Sequence, residues 1–183
     1  MRNGFRRTSR GIEVSLGRVE AGILASLLDE VAQLLEPPPV DDPLEAMVGL
    51  RSTAPEPPDD PMLARLLPDP YPDDPAAAAE FRRRGWDDLR TAKRDAARRV
   101  LAVLPAKGGR VTLDEAAAQD WMTSLNDVRL ALGVRLELTD DDSASALEDI
   151  GSRDPRRPIV DVYLFLGSMQ EQLMQILLDG LGG

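Results

Sequence analysis

Four arginines, Arg83, Arg90, Arg94 and Arg98, share an arc of about 80° when their segment is wound as a helix at 100° per residue. A ladder of planar guanidinium forks at this spacing could meet the phosphates of DNA or the carboxylates of a protein partner. The competing reading is a solvated helix face, since Asp87 falls in the same arc. No aromatic residue interleaves with the ladder to stack on bases, and no helix-turn-helix pattern accompanies it.

A second set of polar residues interrupts apolar stripes. In "WMTSLNDVRLALGVRLELTDDD" (121–142), Trp121, Leu125, Val128, Leu132 and Leu136 form one helical arc, and Arg129 falls on its edge. A guanidinium there needs a carboxylate, helix-end carbonyls, or a route to water. A structural ion pair is the expected solution, with a ligand-anchoring role as the alternative. Gln170 lies in the middle of the stripe of the last helix, where an unpaired amide costs about 1–3 kcal/mol. It therefore pairs either inside the chain or across an oligomer interface. Asn126, Arg129 and Gln170 are read together as structural buried polar groups.

Composition removes whole classes of chemistry. The chain has no Cys and no His, which eliminates disulfides, thiolate nucleophiles, Cys/His zinc sites and histidine acid–base catalysis. "TDDDSASALE" lacks the central Gly and the alternating ligands of a calcium loop. "KGGR" lacks the spacing and the Ser or Thr of a phosphate loop. No catalytic residue, metal site or cofactor is implied, and the chain is expected not to be an enzyme. The net charge of −10 is unevenly placed: residues 37–75 sum to −7 and residues 82–110 to +7. No apolar run approaches the roughly 20 residues that span a bilayer, and a cytoplasmic protein is expected.

The elements that must position these residues are mostly helical. Ile12, Val14 and Leu16 alternate with polar residues, the period of a half-buried strand, and "TSRG" before them predicts a hairpin turn. From Arg18 to Leu35, Val19, Ile23, Leu27, Leu28, Val31, Leu34 and Leu35 predict an amphipathic helix ended by "EPPP". Residues 37–75 form an acidic segment with 12 of the 15 prolines. Within it, "DPLEAMVGL" and "DPMLARLLP" predict short helices with Asp caps and Pro in the first turn, and residues 50–60 between them read as a flexible loop. A further Asp-Pro opens a long helix ending before Pro105, with Phe81, Trp86, Leu89, Ala92, Ala96, Val100 and Val103 on one face and a bend or break expected at Gly85. "KGGRVTL" predicts a turn and a strand able to pair with the first. The last helix should start near Asp154-Pro155 and run to about Asp179. Its apolar arc is so wide that it must be central to the core or shared with a second copy as a homodimer. The expected whole is a mainly α, single-domain helical bundle over residues 1–183, with a small β-hairpin or short sheet near the N-terminus.

"RLLPDPYPDD" (65–74), "GGRVTLDEAAAQDWMTSLNDVRLALG" (108–133) and the apolar C-terminal helix resemble the actinobacterial domain-of-unknown-function family that includes the oxidative-stress regulator AosR. Asn126 and Arg129 belong to the most recognisable of these segments. The resemblance implies a cytoplasmic, non-enzymatic transcription regulator of the stress response, acting with RNA polymerase and an alternative sigma factor or with DNA. It also implies a cysteine pair near the N-terminus in redox-sensing members. Here Phe5 and Ser9 stand in that region, and a disulfide switch is impossible. Regulation without sensing, a partner that senses, or methionine oxidation at Met62 or Met174 remain open. The different class of reading is a helical dimeric adaptor, associated through the last helix, with no nucleic-acid contact.

Overall fold

The computed structural model describes residues 4–38, 53–139, 147 and 149–181. Strands β1 (Gly4–Thr8) and β2 (Gly11–Leu16) form the hairpin, and helix α1 (Arg18–Leu34) follows directly. Helix α2 (Pro61–Leu66) precedes the long α3 (Pro75–Val103). Strand β3 (Gly109–Leu113), α4 (Glu115–Arg135) and α5 (Arg157–Leu181) complete the order. The expected helix in "DPLEAMVGL", part of the 50–60 loop and most of "TDDDSASALE" lie outside the described residues. The class is mainly α with one small sheet, and among the described residues no helix is long and apolar enough to cross a membrane.

Local chemistry explains the helix starts. Asp60 accepts from the Leu63 amide at 2.9 Å, Asp74 from Ala76 and Ala77 at 3.1 and 3.0 Å, and Asp114 from Ala117 at 2.8 Å. Each carboxylate satisfies amides that the first helical turn leaves without partners. Pro follows Asp60 and Asp74, where its missing donor costs nothing. α3 runs unbroken through Gly85, so the expected break does not form. One tolerated Gly costs only about 1 kcal/mol, and a helix of 29 residues absorbs it.

The three strands lie in the order β1-β2-β3, antiparallel throughout, with Phe5 opposite Val14 and Val14 opposite Val111. Their inner face joins the helices in one core, where the Phe5 ring meets Trp121 edge-on at 5.5 Å. α4 is the hub, touching α1, α2, α3, α5 and the sheet. Trp121, Leu125, Val128, Leu132 and Leu136 are all buried, as their spacing requires.

Two apolar faces differ from expectation. α1 buries Ala21, Leu24, Leu28, Val31 and Ala32, while Val19 and Ile23 stay exposed. Both stripes have helical spacing, and the buried one carries the small alanines that admit close approach of α3. On α3, Trp86, Ala96 and Val100 are buried, but Ala92 and Val103 are exposed.

Tight backbone approach occurs at Gly108, whose φ is +74° and where a Cβ would lie 2.6 Å from the Arg18 amide nitrogen. Gly22 on α1 has nothing within 4 Å of the same position. Gly108→Ala should lower unfolding free energy by at least about 1–3 kcal/mol. Gly22→Ala should raise it by about 0.5–1 kcal/mol. Urea denaturation of the two variants checks both signs.

Candidate functional site

α4 carries polar residues toward two neighbours at once. Toward α5, Arg129 donates through one terminal nitrogen to Gln170 Oε1 at 2.7 Å and through the other to the Tyr163 hydroxyl at 3.3 Å. Its guanidinium also sits 4.8 Å from the centre of the Tyr163 ring, within cation–π range. Gln170 Nε2 faces Asn126 Oδ1 at 3.5 Å. The structure thus brings Asn126, Arg129 and Gln170 into one seam between α4 and α5. It also corrects the ion pair expected for Arg129: among the described residues its partners are an amide and a phenol, with no carboxylate. An amide and a ring face suffice because Arg129 is only partly buried and can spread its charge toward solvent. Nε of Arg129 is buried without a hydrogen bond.

The carboxylate that is buried went unnoticed in the sequence. Asp127 is 1% exposed and pairs with Lys93 on α3 at 2.5 Å. Burial pushes its carboxyl above the ordinary 3.8, while Lys93 and Asn126 pull it back down. A signal was available: Lys93 is one of two lysines in a chain that otherwise uses arginine. A compact ammonium fits a space between packed helices that a planar fork does not.

The arginine face of α3 is set against carboxylates of the same chain. Arg83 pairs with Glu80 at 2.9 Å, Arg94 with Asp95 at 2.9 Å and Glu36 at 3.2 Å, and Arg98 with Glu36 at 2.6 Å. Arg90 is also engaged. Glu36, just beyond α1, is therefore clamped by two guanidiniums one helical turn apart, which ties α1 to α3. Outside the face, Arg82 pairs with Asp69, reaches the Pro55 carbonyl at 2.9 Å and lies over Trp86.

The apolar arc of α5 is largely spent inside the chain. Val160, Leu166, Met169 and Leu173 are buried, and Met174 and Leu178 remain exposed. Met62 is partly buried. A groove of about 620 Å³ opens between the end of α3, β3 and the start of α4, lined by Val100, Val103, Val111, Leu113, Ala117 and Trp121. Among the described residues no cluster of three or more His, Cys, Asp or Glu side chains could hold a metal ion.

The sequence of these elements matches a family described as a domain of unknown function, DUF2017, over residues 1–177. The chain belongs to the DUF2017 family. Its curated relatives include the "putative oxidative stress regulator AosR" of Mycobacterium leprae, 37% identical across 95% of this chain and 82% of that protein. The oxidative stress regulators AosR of Mycobacterium bovis and Mycobacterium tuberculosis are each 33% identical over the same shares. No solved structure matches. In this DUF2017 member the segment "LNDVRLALG" supplies both polar couplings, Asp127 to α3 and Arg129 to α5.

Two outcomes follow for stability. Arg129→Ala should cost about 1–2 kcal/mol, the loss for amide and ring contacts, rather than the roughly 3–5 kcal/mol of a stranded buried charge. Chemical denaturation distinguishes these. Asp127 gives a pH signature: the folded chain holds its proton more tightly than the unfolded one, so stability falls as pH rises from about 3.8 through the raised folded value. Asp127→Asn removes that dependence. The difference in unfolding free energy between this variant and the parent should move in the variant's favour across that interval and level off above it.

Proposed function

We propose that this chain is a non-enzymatic, stress-response transcription regulator that works with RNA polymerase and an alternative sigma factor through protein contacts rather than by gripping DNA. The observation that carries the regulatory reading is the near full-length similarity to relatives named oxidative stress regulators. The choice of protein over DNA is supported by the arginine face. Its guanidiniums alternate with Glu36, Glu80 and Asp95, a mixed-sign surface that suits a charged protein partner. A polyanion instead requires concentrated positive potential to release its counterions, and the chain carries −10 overall.

Oxidants cannot act on this chain through a thiol, because it has none. We assign sensing to a partner, with this chain relaying the state by changing what it binds. The role needs no active-site residue: Asp127 and Lys93 are packed between helices, outside the lining of the groove.

Capture of the tagged protein from cell extract, with and without nuclease, tests this reading. Polymerase subunits and a sigma factor should be retained equally in both. Replacing Arg90, Arg94 and Arg98 by Gln should weaken that capture several-fold. The fold should persist, since the carboxylates of these pairs, Glu36 and Asp95, stay exposed to water and the pairs add little to a core that is left intact. Capture that disappears with nuclease would place DNA between the protein and polymerase and sink the proposal.

A further inference from the structure

The two edges of the sheet are treated differently. Along β1, the Gln172 side chain of α5 accepts from the Phe5 amide at 2.9 Å, and Arg7 donates to the Ile176 carbonyl at 2.5 Å. That edge is covered by α5, one of the ways a sheet avoids pairing with a stranger. β3 is the other end strand, and among the described residues no further strand pairs with it. Its flank opens instead on the apolar groove, where Val103 is 47% exposed.

The ladder fixes which backbone groups face outward. Phe5 turns its amide away from β2, so Phe5 and Val14 are a non-hydrogen-bonded pair, and Val14 points its amide and carbonyl at Val111. By the same alternation Leu113 faces β2, and Thr112 directs its amide and carbonyl to the outer edge with Arg110 on the same parity. Asp114 continues the extended backbone, with φ −80° and ψ −178°.

We propose that β3 is the self-association edge of this protein: two copies pair their β3 strands antiparallel about a two-fold axis through Thr112. This goes beyond the regulatory reading and does not depend on it. The arithmetic of that register is self-complementary. Thr112 of one copy faces Thr112 of the other as a hydrogen-bonded pair, and Arg110 of each faces Asp114 of the other. All three side chains project from the same, exposed face of the strand. Opposite charges directly across such a pair stabilise it, whereas like charges there oppose it. Arg110 also reaches Glu13 at 3.7 Å, and its fork can serve both carboxylates. On the inner face, Val111 of one copy meets Leu113 of the other, and the two grooves with their Val103 side chains close on each other. The result is one six-stranded sheet, an isologous contact that closes without leaving a free β3 edge.

Sedimentation velocity over a concentration series up to the solubility limit tests this. The parent should show a reversible monomer–dimer equilibrium. Thr112→Pro removes the outward amide at a position where an edge strand tolerates proline, and should weaken the dimer by about tenfold or more. Arg110→Glu and Asp114→Lys should each dimerise poorly alone, by like-charge opposition, and form a heterodimer when mixed one to one. Asp114→Lys also removes the cap on the Ala117 amide, a loss of monomer stability that is read separately by thermal unfolding. The mixing experiment is decisive even if Thr112→Pro misfolds, with circular dichroism confirming the fold of each component. A parent that stays monomeric throughout would overturn the proposal. So would a dimer indifferent to all three substitutions, which would place association on another face such as Met174 and Leu178.

Discussion

A helix with neighbours on most of its sides cannot keep all of its charges in bulk water, and α4 is such a helix. It touches α1, α2, α3, α5 and the sheet, so the charged residues it buries depend on partners from the elements that cover them. Asp127 is answered by Lys93, and Arg129 by Gln170 and Tyr163. Apolar contact supplies the driving force for packing, but it has no direction. The polar contacts set which rotation and which axial offset of α3 and α5 is allowed. A displacement of either helix would leave a charge or amide unmatched in a low-dielectric interior, where the penalty is largest.

The same logic orders the surface. α3 presents arginines outward, yet Glu36 from the end of α1 lies between Arg94 and Arg98, and this clamp sets α1 against α3 on the side away from the core. The basic segment is thus part of the architecture before it is available for recognition. The surface it leaves is a pattern of alternating sign, of the kind that favours specificity over bulk attraction in a charged contact. The groove at β3 is a different kind of surface, apolar and beside a strand edge.

Much of this was legible in the sequence because the signals were local. Asp-Pro pairs placed the starts of α2 and α3, alternation placed β2, and a seven-residue turn-and-strand motif supplied β3. Trp121, Leu125, Val128, Leu132 and Leu136 marked the buried arc of α4. The misses were non-local. α1 carries two stripes of helical spacing, and only the approach of α3 chooses the one with Ala21 and Ala32. Asp127 looked like any helical carboxylate until α3 covered it, whereas Arg129, which looked anomalous, found neutral partners on α5. Which strand edge is covered depends on where α5 lies, and nothing in the spacing of Gln172 shows that it will reach Phe5.

The central claim, that polar matching across α4 positions its neighbours, is tested most directly by a double-mutant cycle on Lys93 and Asp127. Unfolding free energies are measured for Lys93→Met, Asp127→Leu and the pair together. Each single change strands one buried charge and should cost roughly 3–5 kcal/mol, while the double change should be close to neutral or stabilising. A coupling of that size would establish the pair as a matched unit. Single changes that cost little and simply add would contradict the account, leaving shape alone to fix how α3 sits on α4.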